Sequence, residues 1–237
     1  SALSHDGSTI WHAGISRRGR FPSLRETYSE ALNRFIPNPD LTLEKLVAVE
    51  AGVTTDVGTG QVQVVGFRHN LTDAIRRVTF DDGRRKRVNS DELTSTGLEL
   101  FFAQAVGPVD LGGNLTLQSV ELTDPGTAAS SEPENLPEQV ARAYATFHLP
   151  DGVRLTTEAE YTGTQFCQDP DTGEDVELDD GTWFNAALSK VWRWGRGGFG
   201  RRLQTTVSAD NLTDTALYDQ CGLPRSGRIV RFQLRVF

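Results

Sequence analysis

Residues 153–162 read VRLTTEAEYT. Val153, Leu155, Thr157, Ala159 and Tyr161 alternate with Arg154, Thr156, Glu158, Glu160 and Thr162. A period of two gives an extended strand one apolar and one wet face, and gives a helix no coherent face at all. The same period recurs along the chain. Leu111, Leu115 and Leu117 alternate with Asn114, Thr116 and Gln118, and Ala141, Ala143, Ala145, Phe147 and Leu149 with Arg142, Tyr144, Thr146 and His148. Leu203, Thr205, Val207 and Ala209 likewise alternate with Arg202, Gln204, Thr206 and Ser208. Strands are expected near 9–15, 43–54, 60–70, 93–106, 111–123, 139–149, 152–163, 182–193, 200–210 and 228–237.

The links between these strands alternate in length. Residues 16–42, 71–92, 124–138, 164–181 and 211–227 are long, whereas 55–59, 107–110, 150–151 and 194–199 are short and carry turn chemistry such as Gly107-Pro108 and Asp151-Gly152. In an up-and-down meander, successive links fall at opposite ends, so one end of the sheet has tight turns and the other long loops. Outer-membrane barrels have that layout. Aromatic residues gather near strand ends, at Trp11, Tyr161, Trp183, Phe184, Trp192, Trp194 and Phe199, as in interfacial girdles. The expected fold is therefore all-β, an antiparallel up-and-down transmembrane β-barrel. A soluble β-sandwich binding module, in which the same alternation packs two sheets, is the competing reading. A small self-contained outer-membrane pore is a third. Two irregularities stand out. Strand 60–70 changes phase from Val62 and Val64 to Val65 and Phe67, which predicts a bulge near Val65. In the last strand Val230, Phe232, Leu234 and Val236 share one face, but Phe237 falls with Arg231, Gln233 and Arg235.

Composition bounds the rest. The 237 residues are 37% hydrophobic, enough to build an ordered structure, and carry 24 Lys+Arg against 32 Asp+Glu. A formal net charge of −8 argues against nucleic-acid binding as a main role. No stretch is apolar enough for a membrane-spanning helix, a test that does not bear on barrel strands. The chain holds no Met and opens on Ser1, which reads as a processed chain or a piece of a longer one.

Four stretches carry a family resemblance. The segments FPSLRETY (21–28), PNPDL (37–41) with Glu44-Lys45, and VEAGV (49–53) resemble an extracellular loop and the strand after it in the barrel of TonB-dependent outer-membrane receptors. Phe67 to Ile75 and STGLEL (95–100) resemble the next strands, and DNLTD (210–214) with Tyr218, Pro224, Gly227-Arg228 and a closing strand ending at Phe237 resembles the barrel's end. Thr213 stands where the family commonly has Phe. The resemblance runs over essentially the whole chain in the right order.

It implies a larger, 22-stranded barrel, of which residues 1–237 are about the ten C-terminal strands, with a plug domain lying outside this chain. It also implies active transport of a scarce ligand (ferric siderophore, haem, cobalamin or oligosaccharide) in the outer membrane of a Gram-negative-type bacterium. Transport would be energised by a TonB-type protein acting through the missing N-terminal part. Outer-membrane lipid, lipopolysaccharide and a small-molecule ligand are the other implied partners, with no nucleic acid.

Candidate ligand-facing residues are Arg17, Arg18 and Arg20 in one long link, Arg84, Arg85 and Arg87 in another, and Arg142, Tyr144, Glu158 and Glu160 on the wet strand faces. Both arginine runs fit solvated loop charge or contact with an anionic ligand or lipopolysaccharide. The acidic run from Asp169 to Asp180 lacks the ligand spacing of an EF-hand, and the four His and two Cys make no metal motif. No nucleophile, base and orienter set occurs, so neither catalysis nor a cofactor is expected. The Asn-x-Thr sequons at Asn70, Asn114 and Asn211 read as chance. Cys167 and Cys221 fall on the long-loop side, facing an oxidising exterior, where a loop disulfide is an open possibility.

Overall fold

In the computed structural model, residues 2–3, 7–80, 82–124, 129–131, 133–169, 175–194 and 201–237 are described. Ten long strands make one continuous sheet: Thr9–Arg20 (β1), Glu44–Val57 (β2), Gly60–Thr79 (β3), Arg85–Val106 (β4), Val109–Asp124 (β5), Gln139–Leu149 (β6), Val153–Thr162 (β7), Gly181–Trp194 (β8), Arg201–Asp210 (β9) and Ile229–Val236 (β10). Each pairs antiparallel with its sequence neighbours, without a crossover. A sandwich needs two facing sheets, and this meander has one. The ten strands also do not close on themselves. Among the described residues β10 pairs only with β9, and the outer edge of β1 carries just the two-residue strand Ala2–Leu3.

The register sorts the side chains into two faces. Cross-strand partners share a face, so the alternation of one strand continues into the next: Leu155 lies opposite Phe147 and Leu188, and Glu158 opposite Tyr144 and Asn185. We call the apolar face outward and the polar face inward. Trp11, Ile15, Leu98, Phe184, Val207 and Phe232 are all exposed on the outward face, and few apolar side chains are buried among the described residues. A wall of exposed aliphatic and aromatic side chains this large demands an apolar solvent, and a 10-residue strand such as β7 lies within the ~9–11 residues that cross a bilayer.

Strands β3 and β4, at 20 and 22 residues, are about twice that length. The region 71–92, expected as a loop, is instead largely strand closed by a tight turn at Gly83. Its two faces are both wet, so the alternation that marks a membrane strand fades there. β1 likewise continues to Arg20 rather than stopping near residue 15. The bulge expected near Val65 is absent, since Val64 and Val65 pair in unbroken register with Leu100 and Glu99. Val65 and Phe67 simply face inward; Phe67 is buried and lies over Gly97, where an added Cβ would sit 2.7 Å from the ring. The register shifts come later, between Leu71 and Ile75, around Asp73 with its positive φ. Phe237 is indeed on the inward side, its backbone paired to Arg202 and its ring under the Arg235 guanidinium. The expected turn at 195–200 lies outside the described residues.

Candidate functional site

On the inward face, a hydrogen-bonded row of side chains crosses three strands near the long-loop end and reaches the loop after β9. Arg142 on β6 donates through Nε to Glu158 Oε2 on β7 at 2.8 Å. Glu158 Oε1 accepts from Asn185 Nδ2 on β8 at 3.1 Å, and the same amide donates to Glu160 Oε1 at 3.2 Å. Asn185 Oδ1 in turn accepts the backbone N–H of Asn211 at 3.0 Å. Tyr144 lies beside Glu158 and over Gly112, whose missing side chain leaves room for the ring. Both carboxylates thus accept from the one Asn185 amide, and Glu158 alone also holds the Arg142 guanidinium. Next in the row, Trp183 lies opposite Glu160, and the Arg225 guanidinium stacks 4.7 Å above its ring while pairing with Asp219 at 2.7 Å. Trp183 Nε1 is buried without a hydrogen-bond partner among the described residues. The chemistry available is ionic and hydrogen-bonded gripping with an aromatic surface alongside.

Two loops are pinned above this row. Asn211 is fully buried, and its side chain bonds Thr215 N and O and reaches Ser226 O. Leu217 packs so closely onto Gly181 that a Cβ added there would collide with its side chain. The Cys167–Cys221 disulfide then ties this loop to the hairpin Gln165–Gln168/Asp175–Leu178, with Gln165 Nε2 donating to Tyr218 O.

The loop between β1 and β2 folds over the β3–β4 hairpin. A short helix, Leu24–Tyr28, starts at Ser23 because Ser23 and Glu26 form a capping box. Phe35–Ile36 pairs parallel with Arg85–Lys86, and Asn38 Nδ2 donates to Arg87 O. Arg20 bonds Glu26 and Glu44, so this candidate is a structural ion pair. Arg84 pairs with Asp82, and Arg87 stacks on Phe35. Arg17, Arg18 and Arg85 have no ionic partner among the described residues, and they lie on strands rather than in loops. The arginine candidates are therefore scattered over three places, while Arg142, Tyr144, Glu158 and Glu160 come together. Asn185, Asn211, Trp183 and Arg225 join them. Strand parity points to Trp183 and Asn185; Asn211 and Arg225 become visible only once the loops are folded.

The Ser23 backbone N–H and the Arg20 guanidinium hold the Glu26 carboxyl down at about 2, against an ordinary 4.5. A depressed carboxylate contributes stability that is fully present above the ordinary value and lost as pH falls toward the folded one. Proteolysis of the 21–42 loop with an acid-active protease is therefore expected to speed up as pH falls from about 4.5 to 2, and Glu26→Gln should flatten that dependence. Among the described residues no group of three or more potential metal ligands occurs, and residues 170–174 of the acidic run lie outside them.

The backbone is similar to much longer proteins. The FrpB iron transporter from Neisseria meningitidis superposes with a TM-score of 0.73 at 15% identity, covering 99% of this chain and 38% of that one. The ferric enterobactin receptor PfeA from Pseudomonas aeruginosa gives 0.73 at 17%, covering 100% and 39%. The copper transporter OprC gives 0.74 at 16%, covering 99% and 38%. The chain thus spans less than two fifths of the length of these structures. No curated protein matches the sequence. The family model for the TonB dependent receptor-like β-barrel matches residues 3–212, and with the uncrossed antiparallel meander this places the chain in the family of TonB-dependent receptor β-barrels, which are outer-membrane transport receptors.

Proposed function

We propose that this chain is the C-terminal portion of the barrel of an active-transport receptor that captures a scarce ligand on its inward face. The observation that carries this reading is the Arg142–Glu158–Asn185–Glu160 row, lying beneath two loops pinned by Cys167–Cys221. Of the four ligand types the sequence suggests, a metal-bearing one is favoured over an oligosaccharide, since the structural neighbours include transporters of iron, ferric enterobactin and copper. The open edges of β1 and β10 are supplied by further strands from an N-terminal part, which also carries the plug and the contact with the TonB-type protein. Lipid and lipopolysaccharide surround the outward face.

The test is uptake in cells lacking the receptor gene and complemented with its full-length form. Growth on single iron, haem and cobalamin sources names the ligand. Glu158→Gln with Glu160→Gln is then expected to lower uptake of that ligand at least tenfold, at an unchanged receptor level in the outer membrane. Uptake equal to wild type would refute the assignment of the row as the ligand-facing site.

A further inference from the structure

The outward face contains a recess whose floor is made of small residues. Ala13, Ala51 and Gly66 lie side by side on β1, β2 and β3, flanked by Trp11, Val53 and Val64, and enclose about 700 Å³ open to the apolar side. The next outward row above it, toward the long-loop end, is Ile15, Val49 and Arg68, and Arg17 stands one row higher on β1. Both guanidiniums are exposed and lack an ionic partner among the described residues, whereas Lys45, the third outward cation here, is paired with Asp73 at 2.7 Å. The outward acids Glu92 and Glu121 lie on β4 and β5, on the far side of Arg68, and Glu92 accepts from Asn70. Two inter-strand steps of ~4.8 Å and two residues of rise put the Arg17 and Arg68 backbones about 12 Å apart, so both side chains reach one headgroup.

The charge sits where the outward apolar band stops. Ala13, Ala51, Gly66 and Leu98 form one outward row; in the next, Ile15 and Val49 give way to Arg68 and Thr96, and Arg17 and Lys45 stand higher still. A second outward recess, floored by Ala143, Ala145 and Ala159 between Phe102 and Phe184, has the uncharged Gln139, Tyr161, Gly163 and Thr182 at its upper rim. Of these two recesses, the first combines an acyl-sized apolar slot with cations that have no ionic partner among the described residues. We infer that Arg17 and Arg68, with the Ala13/Ala51/Gly66 recess beneath them, form a site for a phosphorylated outer-leaflet lipid, namely lipopolysaccharide, with its lipid A phosphate on the guanidiniums and an acyl chain in the slot. This rests on the outward face being the membrane face. Anionic headgroups attract surface cations by about 1 kcal/mol per Lys or Arg, so losing both corresponds to roughly a thirtyfold weaker affinity.

The test uses the full-length protein in detergent and native mass spectrometry with diphosphoryl lipid A as the probe. Arg17→Gln with Arg68→Gln is expected to weaken binding about thirtyfold, and Ala51→Leu, which fills the slot, to weaken it as well. Lys190→Gln, an outward cation stacked on Trp192 away from the recess, should stay within twofold. Dephosphorylated lipid A should bind wild type as poorly as diphosphoryl lipid A binds the double variant. A double variant within twofold of wild type overturns the site, as does equal binding of the dephosphorylated probe. Equal binding of phosphatidylglycerol overturns lipopolysaccharide as the occupant. Heat-modifiable migration on gels, measured alongside, reports barrel insertion: its absence in wild type refutes the membrane reading itself, whereas an inserted barrel indifferent to lipid A refutes only this site.

Discussion

Cys167→Ser with Cys221→Ser is expected to free both pinned loops and to be among the most destabilising changes in the chain. The bridge closes a loop across a sequence separation of 54 residues, which in the chain-entropy account contributes about 4 kcal/mol. The closed loop contains β8 and β9, so the loss falls on this part of the sheet as well as on the pinned loops. The expected result is fast trypsin cleavage after Arg225, the one tryptic site in 211–227, on intact cells, where wild type is cut slowly, together with a lower thermal transition. Cys167 is 2% exposed, so wild type should resist mild reductant unless partly unfolded. Equal cleavage of the two forms would show that the other contacts, Gln165 to Tyr218 and Leu217 on Gly181, hold the loops unaided.

The second large effect is expected at Asn211. Its side chain satisfies Thr215 N at 2.9 Å and Thr215 O at 2.9 Å in a site with no exposure, and its φ is 50°. Asn211→Ala removes the acceptor and the donor together and leaves buried backbone groups unpaired, at about 1–3 kcal/mol each. It also places alanine where asparagine is tolerated better. A loss of about 3–4 kcal/mol is expected, read as earlier proteolysis of 211–227 and a lower thermal transition. A change within about 0.5 kcal/mol, the range of an ordinary surface substitution, would mean the loop is held elsewhere. This burial also settles the sequon at Asn211, because no glycan fits on a side chain with no solvent exposure.

Much of the architecture was legible from period-two alternation, because in a membrane-facing strand the two solvents differ so strongly that every second residue is constrained. Val153 to Thr162 shows this at each position, and the structure keeps the pattern across β6, β7 and β8. Legibility failed where both faces are wet. Residues 71–92 carry Arg76, Arg77, Arg85 and Arg87 on strands whose two sides meet water, and nothing in such a stretch distinguishes strand from loop. It failed differently at Val65, where an apolar pair of neighbours suggested a bulge. The inward face there accommodates Val65 and Phe67 because Phe67 covers Gly97, a partner that cross-strand register alone reveals.

The candidate site was legible in part for the same reason. Arg142, Tyr144, Glu158 and Glu160 follow from parity, as does Asn185, whereas Asn211 and Arg225 arrive through loop folding that the alternation does not encode. The arginine runs illustrate the limit of charge patterning. Arg17 faces outward, opposite Val47, and Arg18 inward, opposite Leu46, while Arg20 is held by Glu26 and Glu44. A run that is continuous in sequence is divided by a strand between two solvents.

The central claim is that one face of this sheet meets lipid and the other meets water. Single cysteines placed at each position from 153 to 162 of the full-length protein in outer-membrane vesicles, in the Cys167→Ser/Cys221→Ser background, test it with a membrane-impermeant maleimide. The account predicts labelling at 154, 156, 158 and 160 after the interior is opened to reagent, and protection at 153, 155, 157 and 159. Uniform labelling along the segment, or the opposite alternation, would contradict it.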